Sequence, residues 1–236
     1  MVLRTEPVVS VIIPCYNDGL YLTEALASVE GCPDDVYEII IVDDGSTEPT
    51  TLEVLAQLKS DGYRILEKEH GGPSSARNVG IRESRGKYIL PLDADNKIKP
   101  DYITQGLKIL EESPDVSVAY GDCIRFGAGD DERVYVSDFS MERLSCGNFI
   151  DTCAIYRRGL WVECGGYDEG LVGWEDWEFW IHAALVGRKF RHIPEVMFYY
   201  RIKKESVNRR CSDPEVARGI VEHILKKHPG FSYTPP

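Results

Sequence analysis

Tyr88-Ile89-Leu90-Pro91-Leu92-Asp93-Ala94-Asp95-Asn96 is the stretch from which the fold can be read. Tyr88 to Leu92 has the continuous apolar character of a strand buried on both faces, and it runs into two acids one residue apart. With the strand ending at Leu92, Asp93 and Asp95 leave the sheet at its carboxyl edge, where open parallel sheets hold their ligands. Two carboxylates followed by an amide suit a hard divalent cation that keeps waters and takes phosphate oxygens.

Before this strand the chain alternates strand and helix. Val8 to Pro14 is a β-branched run, and Tyr21 to Glu30 has helical spacing, with Leu22, Leu26 and Val29 on one face and Asn17 or Asp18 as N-cap. Tyr37 to Val42 is a second strand, Pro49 opens a helix through Leu58, Arg64 to Leu66 is a third strand, and Ser74 to Ser84 is a helix. A helix from Pro100 to about Glu112 follows the acids. This order predicts an α/β fold with a mainly parallel sheet and right-handed crossovers.

After Ser113-Pro114-Asp115 the strands become short: Val116 to Tyr120, Asp122 to Phe126, Arg133 to Val136 and Cys153 to Tyr156. Residues 137–150 read as a loop with a short helix, Gly173 to Val186 as a helix led by Trp174-Glu175-Asp176-Trp177-Glu178, and Val196 to Tyr200 as the last strand. Arg201 to Ser212 is charged and is expected to be mobile, and Pro214 to Lys227 forms a closing helix. With no repeat and no linker, residues 1–236 read as one domain.

Composition narrows the class. The 236 residues carry a net charge of −12, which opposes a nucleic-acid partner but not a nucleotide whose charge a metal neutralises. The seven cysteines are scattered with no C-x-x-C pair, so neither a zinc site nor a disulfide framework is indicated, and a reducing cytoplasm suits them. No signal-peptide pattern opens the chain and no run reaches the ~20 apolar residues of a membrane span. A cytoplasmic protein is expected, with peripheral attachment at the membrane face left open and nothing bearing on oligomeric state.

Several weak signals fall on the same sheet edge. Tyr16, after strand one, can stack on a flat base or merely pack in its turn. Asp43-Asp44-Gly45-Ser46, after strand two, can accept from a base ring N–H or simply form an Asx-turn. Arg77, beside Asn78 on a helix after Gly71-Gly72-Pro73, can reach a phosphate or base or be a solvated surface group. Further on, the acids around Asp176 can be dipole-complementing helix-start residues, or, flanked by Trp174 and Trp177, part of a sugar platform. His182 reads as a packed core histidine rather than a ligand.

Taken in order, "VSVIIPCYNDGLYLTEALASV", "EIIIVDDGSTEPT", "GGPSSARNVGIRESRGKYILPLDADN" and "GGYDEGLVGWEDWEFWIHAALVG" resemble glycosyltransferase family 2, nucleotide-sugar transferases of the GT-A fold, over roughly residues 8 to 210. The resemblance implies a nucleotide-binding half at 8–112, an acceptor half at 113–212 and a closing helix and tail at 213–236. It implies that Pro14, Tyr16 and Asp44 line the base pocket, with Asp44 on uracil, and that Arg77, with Asn78 beside it, meets base or diphosphate. By the same resemblance Asp93 meets ribose or metal, and Asp95 holds Mn²⁺ or Mg²⁺ against the diphosphate. Asp176 would be the general base of an inverting transfer from a UDP-sugar to a hydroxyl on a glycan, a lipid-linked or a protein-linked acceptor. Glu175, Trp174 and Trp177 would then orient the acceptor. Many relatives have a His near Lys203, so a third protein ligand to the metal is not implied; Lys203 or Lys204 would instead meet the diphosphate or stay solvated.

Two other functions compete with this one. A sugar nucleotidyltransferase would need a Gly-rich basic loop after strand one, where this chain has Cys15-Tyr16-Asn17-Asp18. A nucleotide-sugar-binding protein without turnover would have no need of Asp93, Asp95 and Asp176 together. A dinucleotide oxidoreductase is opposed by the lack of G-x-G-x-x-G after strand one.

Overall fold

The computed structural model describes residues 6–32, 36–203, 211 and 213–235. Their nucleotide-side core is β1 (Val9–Cys15), α1 (Gly19–Glu30), β2 (Tyr37–Asp43), α2 (Pro49–Ser60), β3 (Arg64–Glu67), α3 (Gly72–Arg82) and β4 (Tyr88–Pro91). β2 pairs with β1 and β3, and β1 with β4, all in parallel. Strand alternation sends Val9, Val11, Ile13 and Cys15 into one apolar layer and Ile12 into the other, so β1 is covered on both faces, as its β-branched run predicts. α1 and α2 cover the first layer and α3 the second. α3 lies so close to β1 that a Cβ on Gly80 would come within 2.5 Å of Ile12 Cγ2.

The second half holds β5 (Lys97–Ile98), α4 (Tyr102–Glu112), β6 (Val116–Gly127), β7 (Glu132–Val134), α5 (Met141–Cys146), β8 (Ile155–Arg157), α6 (Arg158–Cys164), α7 (Glu175–Leu185), β9 (Lys189–Ile202) and α8 (Pro214–Lys227). Among the described residues the sheet has nine strands in the order β3-β2-β1-β4-β8-β6-β9-β5, with β7 on β6. β8 is antiparallel to β4 and β6, whereas β6 and β9 run parallel. The sheet is therefore mixed, with the parallel part carrying the edge at which Asp93 and Asp95 leave β4. None of the described helices is long and apolar enough to cross a membrane.

Several expectations are corrected. The two strands expected at 116–120 and 122–126 are one strand, β6, whose register against β9 shifts between Gly121 and Asp122; such a bulge breaks the period without ending the strand. β9 has fourteen residues rather than five, because its first half is largely exposed and carries no apolar run, and Pro194 falls in its irregular stretch. β5 and α6 were not expected. α6 ends at Gly165 (φ 75°), a left-handed helix C-cap of the kind that Gly-Gly pairs announce. Neither Asn17 nor Asp18 caps α1 with its side chain. Asn17 (φ 57°) instead accepts from Thr47 N and Glu48 N at 2.8 and 2.9 Å, tying the loop after β1 to the loop after β2. Of the segment expected to be mobile, Arg201 and Ile202 complete β9, while 204–210 and 212 lie outside the described residues.

Candidate active site

At the end of β1, Tyr16 is 42% exposed and stacks on His70, ring centroids 4.0 Å apart at 26°. At the end of β2, Asp43 Oδ1 accepts from Ser46 N at 2.9 Å, the Asx-turn, and Asp44 turns inward to 2% exposure. The loop between β3 and α3 closes over Asp44: Lys68 Nζ at 2.6 Å and Gly71 N at 3.0 Å on Oδ1, Gly72 N at 2.8 Å and His70 Nδ1 at 2.9 Å on Oδ2. A carboxylate offers about four lone-pair sites, so this one is full. Gly45 is required here, since at φ 74° a Cβ would stand 2.9 Å from His70 N. His70 thus stacks on Tyr16 and contacts Asp44, the two interactions assigned to a nucleotide base. Pro14 is half-buried within β1, paired with Val42.

Arg77, on α3, is 3% exposed rather than a surface group. Its NH2 donates to Asp93 Oδ1 at 2.7 Å and its NH1 to Glu175 Oε1 at 2.6 Å, the latter 98 positions away in the other half of the chain. Burial opposes its charge, but Asp93 and Glu175 outweigh burial and hold the guanidinium protonated well above its ordinary range. Asn78, expected beside it at the donor, points the other way: its amide binds Tyr167 O and N, Glu169 and Trp161 Nε1, anchoring the Gly165-Gly166 loop to α3.

The turn after β4 is closed by Asn96 N on Asp93 O at 3.0 Å and strapped to β9 by Arg201, whose N donates to Asn96 Oδ1 and whose Nε donates to Asp95 O. Lys203, also at the end of β9, places Nζ 2.8 Å from Asp95 Oδ2 and 2.8 Å from Asp18 Oδ1. Burial and then Asp93 push the Asp95 carboxyl up, against the pull of Lys203.

α7 starts one residue after Trp174, which sits in the left-handed region at φ 56°. A bulky residue there is an outlier of a kind that clusters at working sites. Asp176, half-buried, accepts from Asn148 Nδ2 at 2.8 Å and from Trp177 N at 2.8 Å. Burial, then Glu175 and Asp151, push its carboxyl well above the usual carboxylate range, with Arg77 opposing. Asp151 is pushed up to about 7 by burial and then Asp93, opposed by the Cys153 N–H and Arg77. Trp177 is 2% exposed, its Nε1 donating to Leu144 O among Phe231 and Tyr233, so it is a core residue and not an acceptor platform. Trp174 alone of the pair is partly open.

Asp18, Asp93, Asp95, Asp151, Glu175 and Asp176 thus form a chain of six neighbouring carboxylates with two cations, Arg77 and Lys203. Such an excess favours an added cation, and the all-oxygen donor set of Asp93 and Asp95 fits Mn²⁺ or Mg²⁺. Arg77 Nε and Asn96 Nδ2 are buried with no partner among the described residues; both are donors, as anionic phosphate oxygens or water require. Asp151, Asn148, Lys68 and His70 had no sequence signature: Asp151 precedes its strand, whereas Asp93 and Asp95 were found as a pair following theirs.

A curled, mixed, mainly parallel sheet with acids at the carboxyl edge of its central strand is the GT-A architecture of glycosyltransferases. The chain belongs to glycosyl transferase family 2, whose family model matches residues 10–164. It is 30% identical over 94% of its length to an uncharacterised glycosyltransferase of Rickettsia prowazekii, covering 73% of that protein. It is 28% identical to the hyaluronan synthase of Pasteurella multocida over 83% of its own length, but only 20% of the synthase's. The chain therefore spans a small part of several curated relatives. Among solved structures, TarS of S. aureus in complex with UDP-GlcNAc superposes with TM-score 0.73 at 22% identity, over 92% of this chain and 66% of that one. The mannosyltransferase PcManGT of Pyrobaculum calidifontis, in complex with GDP-Man and Mn²⁺, superposes with TM-score 0.72 at 19% identity, over 99% and 67%.

Proposed function

We propose that this glycosyltransferase moves a hexosyl or N-acetylhexosaminyl group, with inversion, from a UDP-sugar to a hydroxyl on a growing glycan, lipid-linked or protein-linked acceptor. The observation that carries this is Arg77, which ties Asp93 at the end of β4 to Glu175 at the start of α7 and so sets the donor acids beside Asp176. Tyr16 offers a stacking face to the base once His70 leaves it, and Asp44 accepts the base N–H that His70 now replaces. Arg77 and Lys203 orient the donor acids and offset their repulsion. Asp176, a carboxylate of raised proton affinity, takes the proton from the acceptor hydroxyl as that oxygen bonds to the anomeric carbon. The bond from the anomeric carbon to the diphosphate oxygen breaks as the new one forms, and its electron pair leaves with the nucleoside diphosphate.

Asp93 and Asp95 are the residues that would hold Mn²⁺ or Mg²⁺, which when bound supplies charge neutralisation to the departing diphosphate. An Asp on a ring N–H fits uracil, thymine or guanine and opposes adenine and cytosine; the family resemblance favours uracil among them, and relatives named hyaluronan synthase and chondroitin synthase favour a glycan acceptor. The seven free cysteines suit a reducing compartment, so work in the cytoplasm or at the inner face of the membrane is part of this proposal.

The test is a thermal-shift panel of UDP-, GDP- and dTDP-sugars, each with and without Mn²⁺, followed by mass spectrometry of the stabilising donor with hydroxyl acceptors and NMR of the product anomer. A metal-dependent shift with a UDP-sugar and an inverted product support the reading. A panel without any shift at concentrations far above a typical Kd, or a product of retained configuration, overturns it.

A further inference from the structure

On the far side of α7 from the donor acids stands a second cluster of metal-ligating side chains. Glu178 and His182 are one helical turn apart on α7, and His228 follows the last residue of α8. One ligand atom from each lies within 4.8 Å of the others. Glu178 and His228 are buried and His182 half-buried, so the cluster has a wet side. We propose that Glu178, His182 and His228 bind a zinc-type transition-metal ion that clamps α8 to α7, the helix that carries Asp176.

The chemistry of the donors selects the ion. Two imidazole nitrogens and one carboxylate suit Zn²⁺, with a water from the open side as fourth ligand, whereas Mg²⁺ prefers an all-oxygen shell. This separates the cluster from the carboxylates around Asp95. Ligands about 2.0–2.1 Å from a tetrahedral zinc lie roughly 3.3 Å apart, so the side chains must draw in from their present spacing. The exception is the His228 Nε2–Glu178 Oε1 pair, hydrogen-bonded at 2.5 Å, which must instead open to admit the ion.

His182 is the residue that a purely structural cluster leaves unexplained. Its ring has no hydrogen-bond partner among the described residues and faces the His228 ring at 5.0 Å between centroids. Burial, and then His228, lower its proton affinity. The competing cation, Lys227, contacts Glu178 at 3.0 Å but has a second anchor, Asp168 at 2.7 Å, to which it can withdraw when Glu178 turns to the metal.

The site would act as a staple. Trp177, Phe231 and Tyr233 pack together beside it, so an ion joining Glu178 to His228 fixes the chain from α8 to Tyr233 against the helix that presents Asp176. Sequence gave no hint of it, because one ligand lies some fifty residues from the other two and none is a cysteine.

The experiment is equilibrium dialysis of the full, EDTA-stripped chain against Zn²⁺ in excess Mg²⁺, with Co²⁺ as a visible-absorption probe and thermal unfolding followed in parallel. Expected are one Zn²⁺ per chain, a tetrahedral Co²⁺ spectrum without a thiolate charge-transfer band, and a Zn²⁺-dependent rise in Tm. His182→Gln, at a half-exposed position that folding tolerates, and His228→Gln should each weaken Zn²⁺ binding at least about tenfold, the effect expected of losing one ligand of three. Lys227→Met should strengthen it, and Cys164→Ser should not change it. Absence of stoichiometric Zn²⁺ overturns the proposal. So does Zn²⁺ binding that His182→Gln leaves intact, or binding abolished by Asp95→Asn, which would put the ion among the donor acids.

Discussion

The Lys203 ammonium lies 2.8 Å from Asp95 Oδ2 and 2.8 Å from Asp18 Oδ1, so an internal cation already neutralises the acid best placed to hold a metal. Burial opposes the charge on Lys203, but Asp18 and Asp95 raise its proton affinity, and it stays charged throughout the working pH range. A divalent ion at Asp95 must therefore compete with it. Lys203→Met should tighten Mn²⁺ binding in the absence of donor by about tenfold, roughly 1.4 kcal/mol. Mn²⁺ titration followed by electron paramagnetic resonance reads this directly. Unchanged affinity would mean that lysine and metal do not share the site.

His70 occupies both contacts assigned to the base, the Tyr16 face and Asp44 Oδ2. A nucleotide must displace it, and the cost of that displacement is part of the donor affinity. His70→Ala should lower the Kd for UDP several-fold, whereas Tyr16→Ala should weaken UDP binding by about 1–3 kcal/mol, the usual worth of a base on an aromatic ring. Isothermal titration with UDP separates the two. Weaker binding in His70→Ala would make the imidazole a wall of the base site instead of its occupant.

Asp176→Asn removes the proton acceptor but keeps the shape of the side chain and one oxygen to accept from Asn148 Nδ2 or from Trp177 N, where the carboxylate accepts from both. We expect kcat to fall by about 10²–10⁴ with donor affinity within threefold of wild type, the range for a lost general base. Steady-state kinetics with titration of UDP-sugar by the same variant checks both halves. Near-full transfer activity would remove Asp176 from the chemistry.

How much of this was legible depends on whether a residue's role is local. The βα order through β4 was readable because β1, β2 and β4 are buried on both faces and write that burial as unbroken apolar runs. The positions of Asp93 and Asp95 after a buried strand and of Asp176 in the first turn of a helix were readable because they lie beside element ends. Arg77 was singled out, with a donor contact and a solvated surface position both left open, and its burial against Glu175 could not be read because that partner is 98 positions away. Asn78 and Trp177 were assigned to ligands because their neighbours in sequence were, although the helix turns both side chains away into packing. Asp151, His70 and Lys68 act through loops whose course no periodicity reveals.

The two tryptophans flanking Asp176 should therefore behave differently. Trp177 is enclosed by Leu144, Phe231 and Tyr233, and Trp177→Ala should destabilise the fold by about 3–5 kcal/mol, as large-to-small changes in cores do. Trp174 is partly open and held at φ 56°, so Trp174→Gly relieves backbone strain while deleting the ring. It should leave Tm nearly unchanged and raise the acceptor KM. Urea unfolding and acceptor kinetics on the pair distinguish core from platform; equal losses of stability would make both tryptophans structural.

Asp151 gives the pH dependence its sign. Its carboxyl titrates near 7 in the folded chain, far above the ~3.9 of an unfolded aspartate, so between these values the folded state binds more protons. Stability contributed by this group is present at low pH, falls as pH rises through the window from about 4 to about 7, and is lost above it. Asp151→Asn keeps an oxygen for the Cys153 N–H, at present 2.8 Å from Asp151 Oδ1, and removes the charge that Asp93 repels. In EDTA the variant should match wild type near pH 4 and exceed it at pH 8 by on the order of 1–3 kcal/mol, less than the full shift because the cluster relaxes. Added Mn²⁺ should narrow the gap at pH 8, since a cation among the donor acids stabilises the ionised wild-type carboxylate and not the amide. Urea unfolding at the two pH values measures it, and a variant less stable than wild type at pH 8 would show that Asp151 is held ionised by a partner stronger than its repulsion from Asp93.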